Sequence, residues 1–491
     1  MGVLFKGGTV VTASEMVRAD VLVEGEIITL IGADISPEGH IVVDAAGKYL
    51  MPGGIDVHTH LDLPFGGTYS NDDFDVGHKA AAFGGTTTHI DFVIQPKGGS
   101  LHDGLETWRR KAAPAQIDYG FHLAITDLRD DVLDEIPSLA QEGVTSLKLF
   151  MAYKNVFQID DATLFKAMNV AARNGMIVMV HAENGDVEAQ LTPALLAAGK
   201  TDPVYHAASR PPEIEGEATN RAVVMSGMTG CALYVVHMTC EPAVDALRRG
   251  RALGYPVMGE TCVQYFKMTV EEHLAAPGFE GAKYVCSPPI RTKHDHAVLW
   301  QAIKDGTLQV VSTDHCDFWY EGGVGPWQEW SAAHNGGDWV EYEAQDPSYR
   351  RPGKELGKGN FAKIPNGLPG IEDRMMVTWE LGVNSGKITP QRFVEVNCTN
   401  PAKIFGMYPK KGTISVGADA DILVWDPNKQ HTISARTHHM RCDYNLYEGM
   451  TVTGVPVKVY QRGKLLVDGS QWHGINGGGQ FVHRKTGAPV L

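Results

Sequence analysis

Between residues 52 and 404, eight short β-rich runs alternate with Ala- and Leu-rich stretches of helical length. No other feature of the sequence restricts the possible folds as much as this alternation. The stretches at 161–174 and 217–228, for example, are each long enough for a helix. Eight strands that alternate with helices are the count of a TIM (β/α)8 barrel, an α/β fold around a closed parallel sheet. The eight runs are residues 55–61, 86–94, 119–126, 146–152, 176–182, 233–238, 256–261 and 308–314.

The two ends of the chain carry shorter apolar runs that Gly, Asp and Glu separate, which is typical of antiparallel strands. Because the termini of one domain often lie together, we expect residues 1–51 and 405–470 to form a second, smaller β-sandwich domain around the barrel insertion. Residues 471–491 are Gly-rich and polar, and we predict that they form an oligomerisation arm. The strand-like runs are residues 9–12, 20–23, 27–31, 40–44, 412–415, 421–425 and 455–460.

Composition excludes several classes of protein. The chain has 43 Lys and Arg against 58 Asp and Glu, a formal net charge of −15, whereas a nucleic-acid-binding protein needs a basic surface. No apolar run approaches the ~18 residues of a membrane helix, and no signal peptide is visible. The seven cysteines are scattered and form no CxxC pair, so neither a disulfide framework nor a thiolate zinc site is indicated. We therefore predict a cytoplasmic protein that binds neither nucleic acid nor membranes.

Metal-binding residue types stand at the ends of four of the apolar runs. His58 and His60 are two residues apart on a strand, so their side chains point to the same face. His181, His237 and Asp314 close three further runs, and active sites of TIM barrels are built where the strands end. Any one of these residues alone is better explained as a hydrogen-bonded strand cap. Together, four histidines and an aspartate indicate a site for Zn²⁺, Mn²⁺, Fe or Co.

Lys148 stands within the fourth apolar run, where a charged residue needs an explanation. Composition alone favours a structural lysine whose ammonium group reaches outward to water, because buried lysines are rare. A lysine buried beside two cations would instead lose its proton easily and could take up CO₂ as a carbamate. Spacing by itself does not decide between these two readings.

Several sequence motifs are specific when taken together. They are His-Thr-His at 58–60, SLKLFMAYKN at 146–155, SRPPE at 209–213, STDHC at 312–316, IPNG at 364–367 with IEDR at 371–374, and DYNLYEG at 443–449. Together they resemble the dihydropyrimidinase/D-hydantoinase family of cyclic amidohydrolases, and the resemblance covers nearly the whole chain. It implies a TIM barrel with a split β-sandwich and a centre of two divalent metal ions, usually Zn²⁺. With the Gly-rich tail, it also implies a homo-oligomer, which we predict to be a tetramer.

The resemblance implies a role for each candidate residue. The ligands implied for one metal ion are His58, His60 and Asp314, and those for the other are His181 and His237. N-carboxylated Lys148 is implied as the bridge between the two ions. The residues implied to surround the substrate are Tyr153, Ser287 and Asn366. Without the resemblance, an ordinary tyrosine at the barrel rim and two turn residues would explain these three positions equally well.

The implied reaction opens a cyclic ureide or amide through a hydroxide that bridges the metals. Tyr153 stabilises the oxyanion, and Asp314 moves the proton from the water to the leaving nitrogen. Dihydrouracil would give N-carbamoyl-β-alanine, as in pyrimidine catabolism, and a 5-substituted hydantoin would give an N-carbamoyl amino acid.

Three alternatives share the fold and stay open. An allantoinase or dihydroorotase would use the same site, although the stretch 146–155 favours the hydantoinase branch. A cyclic imidase would also use it. A non-catalytic scaffold, similar to the collapsin-response mediator proteins, would have lost metal ligands, and the complete ligand set argues against it.

The stretch 318–359 is longer than the resemblance predicts and is rich in aromatic residues. It follows Asp314 closely and therefore leaves from the catalytic face of the barrel. We predict that it folds over the pocket mouth, or over the pocket mouth of a neighbouring subunit, and alters substrate choice, and the alternative is a contact between subunits away from the site. Its tryptophans are Trp319, Trp327, Trp330 and Trp339, and its tyrosines are Tyr320, Tyr342 and Tyr349.

Overall fold

The computed structural model describes residues 2–323 and 350–487. The middle of the aromatic insertion lies outside the described residues, so the predicted cover of the pocket mouth stays a prediction. Both ends of the insertion are described, including Trp319 and Tyr320 at its start. The insertion residues outside the described part include Trp327, Trp330, Trp339, Tyr342 and Tyr349.

An eight-stranded parallel sheet forms the centre of the molecule, which confirms the predicted TIM barrel. The first and last strands meet through a parallel bridge between Thr59 and His315, and the His60 amide donates to the His315 carbonyl oxygen at 2.8 Å. We number the barrel strands β1 to β8. They are Gly54–Thr59, Thr86–Ile94, Asp118–Ala124, Ser146–Phe150, Ile177–His181, Ala232–Val235, Val257–Cys262 and Val310–Ser312.

Helices cover the outside of the barrel and begin at polar caps. Ser100 and Asp103 form a reciprocal capping box at one helix start, and the Asp160 carboxylate accepts from the Thr163 amide at another. None of the helices in the described ranges is both long and apolar enough to cross a membrane. The α-helices are Val76–Phe83, Leu101–Lys111, Asp130–Leu133, Ile136–Gln141, Asp161–Arg173, Gly185–Ala197, Tyr205–Ser209, Pro212–Thr229, Glu241–Ala252, Lys293–Asp305, Arg374–Thr378, Pro390–Val394 and Asn400–Ile404.

Shorter helical turns connect several of these elements. Wider π-type turns are Val270–Leu274, Trp379–Asn384 and Glu395–Thr399. Tighter 3₁₀ turns are Val263–Phe266, Glu280–Tyr284, Lys354–Gly357 and Phe361–Lys363. A two-stranded hairpin, Pro64–Phe65 with Thr68–Tyr69, lies in the loop after β1.

Two further sheets are built from the chain ends, and the larger one combines strands from both ends. Tyr49–Pro52 pairs with Ile422–Thr432, so residues almost four hundred positions apart share one sheet. A buried cluster that includes Val21, Leu50 and Ile422 packs between the two sheets. The four-stranded sheet has the order Ile27–Gly32, Asp20–Glu24, Val3–Lys6, Ile41–Asp44. The seven-stranded sheet has the order Gln471–Trp472, Lys464–Asp468, Thr451–Gln461, Ile422–Thr432, Tyr49–Pro52, Thr9–Val11, Met16–Arg18.

One predicted strand is absent. Residues 412–415 form a loop, and Gly412 begins it in the left-handed region at φ 80°. Ile414 is still buried between the two sheets, so its apolar character reflects core packing rather than a strand. The domain limits proposed above, 1–51 with 405–470 and 52–404, stay a prediction.

The C-terminal segment runs along the amino-terminal end of its own barrel. The Tyr119 amide donates to the Gln480 carbonyl oxygen at 3.0 Å, and the Val482 amide donates back to the Tyr119 carbonyl oxygen at 2.7 Å. The fully buried guanidinium group of Arg484 donates to Ser146 Oγ at 3.1 Å. The segment therefore packs on the barrel face opposite the strand ends that carry the histidines. Its predicted role in oligomerisation stays a prediction.

Candidate active site

Nine residues singled out from the sequence line one cavity at the carboxyl end of the barrel strands. β4 presents Ser146, Lys148 and Phe150 to one face, because alternate side chains of a strand share a face. The histidines, Tyr153 and Asp314 lie at or just beyond strand ends, where TIM barrels build their active sites, whereas Ser287 and Asn366 come from long loops that follow the last two strands. The nine are His58, His60, Lys148, Tyr153, His181, Ser287, His237, Asp314 and Asn366.

Asp314 stands between the two histidines of β1. Its Oδ1 atom lies 3.0 Å from His58 Nε2 and 3.1 Å from His60 Nε2. Nitrogen and oxygen atoms of His58, His237 and Asp314 all lie within 4.8 Å of one another, close enough for a single cation to reach all three. Imidazole and carboxylate are ligands that suit Zn²⁺ and similar ions.

His181 and His237 form the other half of the site. Their facing ring nitrogens, His181 Nδ1 and His237 Nε2, are 2.9 Å apart. Burial lowers the pKa of His181 and, more strongly, that of His237, and burial lowers the pKa of His60 to about 4. These imidazoles are therefore neutral near pH 7 and keep a lone pair for a metal ion.

Lys148 is fully buried and faces two aromatic rings. Its Nζ atom lies 5.0 Å from the centre of the Phe92 ring and 5.1 Å from that of Phe150. No described residue makes a hydrogen bond to this nitrogen. Burial lowers the pKa of Lys148 to about 7, so a large fraction of the amine is unprotonated at neutral pH. An unpaired, neutral amine in the cavity fits a carbamate better than a structural ammonium group.

Two buried glutamates that the sequence reading missed hold the candidate ligands in place. Glu260 on β7 accepts from His58 Nδ1 at 2.5 Å and from the Tyr234 hydroxyl at 3.0 Å. Glu183 accepts from His181 Nε2 at 2.6 Å. Metal-binding histidines nearly always donate their second ring N–H to such a partner, so these contacts fit a metal centre. The signal was a glutamate inside the apolar run 256–261 and another two residues after His181.

Two carboxylates control the charge of His58. Burial disfavours its imidazolium form, but Asp314 and Glu260 outweigh burial and raise the pKa of His58 to about 9. Burial also raises the pKa of Asp314, yet the neighbouring histidines, His58 first, hold it well below its usual range. Asp314 is therefore a carboxylate, able to bind a cation or to accept a proton.

The backbone is strained at three of the nine positions. Tyr153, His237 and Asp314 have φ values of 63°, 39° and 53°, in the left-handed region that residues other than glycine rarely adopt. Each such residue costs about 1–3 kcal/mol, and strain of this kind is concentrated at functional sites.

Tyr153, Ser287 and Asn366 line the cavity together with the histidines. The Asn366 side-chain amide donates to Ser287 Oγ at 3.1 Å. Burial raises the pKa of the Tyr153 phenol, so its hydroxyl stays protonated and can donate a hydrogen bond. Phe65 packs edge-on against the Tyr153 ring at 5.5 Å, and together with Leu63 it gives the cavity an apolar wall.

The comparisons with known proteins agree with this geometry. The model of the Amidohydrolase family matches residues 49–466. A D-hydantoinase of Geobacillus stearothermophilus is 49% identical over 99% of this chain and 97% of its own length. A dihydropyrimidinase of Rattus norvegicus is 39% identical over 99% of this chain and 90% of its own. The crystal structure of a dihydropyrimidinase from Brevibacillus agri NCHU1002 superposes with a TM-score of 0.92 at 49% identity, covering 99% of this chain and 100% of that chain.

The barrel and its rim of histidines thus define a hydrolase of the amidohydrolase class. Within that class, the chain belongs to the dihydropyrimidinase/D-hydantoinase family. The predicted family is confirmed.

Proposed function

We propose that this protein is a metal-dependent cyclic amidohydrolase that opens the ring amide of dihydropyrimidines, of 5-substituted hydantoins, or of both. The observation that carries the proposal is the single cavity lined by all nine residues, six of them of metal-ligand type and three of substrate-binding type. The names of the relatives support the hydantoinase branch over an allantoinase, a dihydroorotase or a cyclic imidase. The complete ligand set argues against a non-catalytic scaffold.

The residues present fit two divalent cations, with Zn²⁺ the expected metal. One ion would be held by His58, His60 and Asp314, and the other by His181 and His237. Cations bound there would lower the pKa of a coordinated water toward neutrality and polarise the substrate carbonyl group.

Lys148 supplies the bridge in this proposal. Its unprotonated amine attacks the carbon of CO₂, a new N–C bond forms as one C=O π bond opens onto its oxygen, and the nitrogen gives one proton to water, which leaves a carbamate anion. The two carbamate oxygens are hard, negatively charged ligands of the kind that divalent cations favour. The unpaired Nζ atom and the lowered pKa of Lys148 support this step.

Asp314 carries the proton during ring opening. Its carboxylate accepts a proton from the attacking water and then delivers it to the ring nitrogen as the C–N bond breaks. Its place between His58 and His60 supports this role, and its ionised state leaves an oxygen able to accept a proton. For dihydrouracil the product is N-carbamoyl-β-alanine, and for a hydantoin it is an N-carbamoyl amino acid.

Tyr153, Ser287 and Asn366 bind the substrate in this proposal. The Tyr153 hydroxyl donates to the carbonyl oxygen as that oxygen gains negative charge, an interaction whose loss typically costs ~10²–10³ in rate. The polar groups of Ser287 and Asn366 hold the cyclic amide. The apolar wall of Leu63 and Phe65 receives the substituent on the ring.

A turnover panel with metal quantification tests the proposal. The purified protein is assayed with dihydrouracil, 5-substituted hydantoins, allantoin, dihydroorotate and cyclic imides, and the same preparation is analysed for bound metal. We expect the highest kcat/KM for dihydrouracil or a hydantoin, with two metal ions per chain. A higher kcat/KM for allantoin, dihydroorotate or an imide would assign the chain to that alternative, and no turnover by metal-loaded protein would favour the scaffold.

Glu260→Gln is expected to weaken metal binding about 10–100-fold, as substitution of the partner of a ligating histidine typically does. The glutamine side chain keeps the size of Glu260 but presents an NH₂ group to one of the two donors, His58 and Tyr234. A competitive chelator titration measures the change. Tyr234→Phe is the matched control, because it removes one donor and leaves the carboxylate on His58. Equal effects of the two variants would contradict the orienting role of Glu260.

A further inference from the structure

We propose that Lys354 is a positioning residue that fixes the two substrate-binding loops relative to each other. The inference rests on the proposed function, because it concerns the loops that carry Ser287 and Asn366. Lys354 stands at the far end of the aromatic insertion, in the short helical turn Lys354–Gly357, and it was not among the residues singled out from the sequence.

The Lys354 side chain is fully buried and uses all three of its ammonium hydrogens on backbone carbonyl groups. Nζ donates to the carbonyl oxygens of Val285 at 2.9 Å, Pro365 at 2.7 Å and Gly367 at 2.8 Å. Burial lowers the pKa of Lys354 to about 7, which shows how unfavourable this place is for a charge without partners. The three carbonyl oxygens act against this shift, because only the ammonium form of Lys354 can donate to all of them.

The three carbonyl groups belong to the two loops that the proposed function assigns to the substrate. Val285 precedes Ser287 by two residues, and Pro365 and Gly367 stand on either side of Asn366. The loops also contact each other directly, since the Gly367 amide donates to the Val285 carbonyl oxygen at 3.1 Å. Lys354 lies on a third segment of the chain and therefore connects, through its hydrogen bonds, the backbone next to Ser287 with the backbone next to Asn366.

The residues next to Ser287 have hydrogen-bonded backbone groups, whereas the backbone groups of Ser287 itself are unpaired among the described residues. His206 Nε2 donates to the Cys286 carbonyl oxygen at 2.8 Å, and the Tyr265 hydroxyl donates to that of Pro288 at 2.8 Å. Within the described part of the chain, the backbone N–H and C=O groups of Ser287 and Asn366 have no hydrogen-bond partner. Polar backbone groups in a buried cavity need a partner, and a cyclic amide offers both a donor and an acceptor.

A purely structural role for Lys354 is the alternative, because its backbone also joins the start of the insertion. The Lys354 amide donates to the Trp319 carbonyl oxygen at 2.8 Å. The two roles differ in what they change. Loss of a structural contact lowers stability, whereas loss of positioning moves the substrate relative to Asp314, and a shift of about 1 Å can cost ~10²-fold in rate.

Lys354→Met tests the inference, with Lys411→Met as the matched control. Lys411 is also buried, but it pairs with Asp118 and Asp421 at 2.5 and 2.8 Å at the opposite end of the barrel. Both variants lose a buried ammonium group, so both are expected to be less stable. Only Lys354→Met is expected to lower kcat/KM, by at least about tenfold and through kcat as well as KM, with the metal content unchanged.

Amide hydrogen exchange, measured by mass spectrometry, gives a readout that does not depend on turnover. In Lys354→Met, exchange is expected to accelerate in peptides that contain the Gly367 amide and residues 285–287, and not in other barrel loops. Lys354→Gln, which keeps two N–H donors, is expected to show a smaller effect on both measurements, and it replaces the methionine variant if that variant does not fold.

Two results would overturn the inference. Unchanged kcat/KM, or a fall no larger than that of Lys411→Met, would leave Lys354 with a structural role only. Unchanged hydrogen exchange at the Gly367 amide in Lys354→Met would show that the hydrogen bonds of Lys354 do not hold the two loops together. If the unmodified protein opens no cyclic amide, the proposed function fails instead, and exchange at Gly367 still decides whether Lys354 holds the two loops together.

Discussion

Asp314→Asn is expected to lower kcat for ring opening by several orders of magnitude, while the chain stays folded. Loss of a general acid–base group typically costs ~10²–10⁴-fold, and here the same change also removes a metal ligand. Asparagine keeps the size of Asp314 but cannot accept the proton from water. The Asp314 oxygen lies within 3.1 Å of both His58 and His60, and Asp314 is the only carboxylate among the described residues that line the cavity.

Steady-state kinetics, thermal melting and metal analysis check this prediction together. Asp317→Asn is the matched control, because Asp317 is a fully buried aspartate three residues further along the chain that does not line the cavity. Burial, with the nearby Asp72 carboxylate, raises the pKa of Asp317 to about 7, so asparagine resembles its protonated form. The control is expected to keep turnover within a few-fold. A loss of less than about tenfold in Asp314→Asn is too small for a general acid–base group and would rule out its proton-transfer role.

Lys148→Ala is expected to lose bound metal and activity together. Without the amine no carbamate can form, and five neutral or singly charged ligands would then have to hold two divalent cations in a buried cavity. Alanine also leaves an empty space beside Phe92 and Phe150. A short carboxylic acid such as acetate or propionate can enter that space and supply the two missing oxygens.

The prediction for Lys148 is therefore a specific rescue. Added Zn²⁺ alone is expected to restore little activity, whereas Zn²⁺ with a short carboxylate is expected to restore part of it. Metal analysis and turnover are measured on the same samples. Full activity of Lys148→Ala without any additive would show that Lys148 is not a bridging metal ligand.

Most of the barrel could be predicted because its signal is local. Each strand is a short apolar run followed by a helical stretch, and all eight predicted runs overlap strands of the sheet. The position of His181 or Asp314 at the end of a run then places it on the rim without any knowledge of its neighbours. The loop at 412–415 shows the limit of this reasoning, because Ile414 is buried without belonging to a strand.

The supporting residues could not be predicted, because their partners are distant in the chain. Glu260 contacts His58 across 202 positions, and Lys354 reaches Val285 across 69. Neither spacing repeats or follows the period of a helix or strand. A glutamate in a strand or a lysine in a loop has an ordinary solvent-exposed explanation until the fold brings its partner close.

Metal removal and stepwise return test the central claim most directly. The protein is stripped with a chelator, Zn²⁺ is added back in known equivalents, and ring opening of the best panel substrate is measured at each step. We predict no turnover without metal and a rise in activity that levels off at two ions per chain. Undiminished turnover by the stripped protein would contradict metal dependence, and full activity at one ion per chain would contradict a centre of two ions.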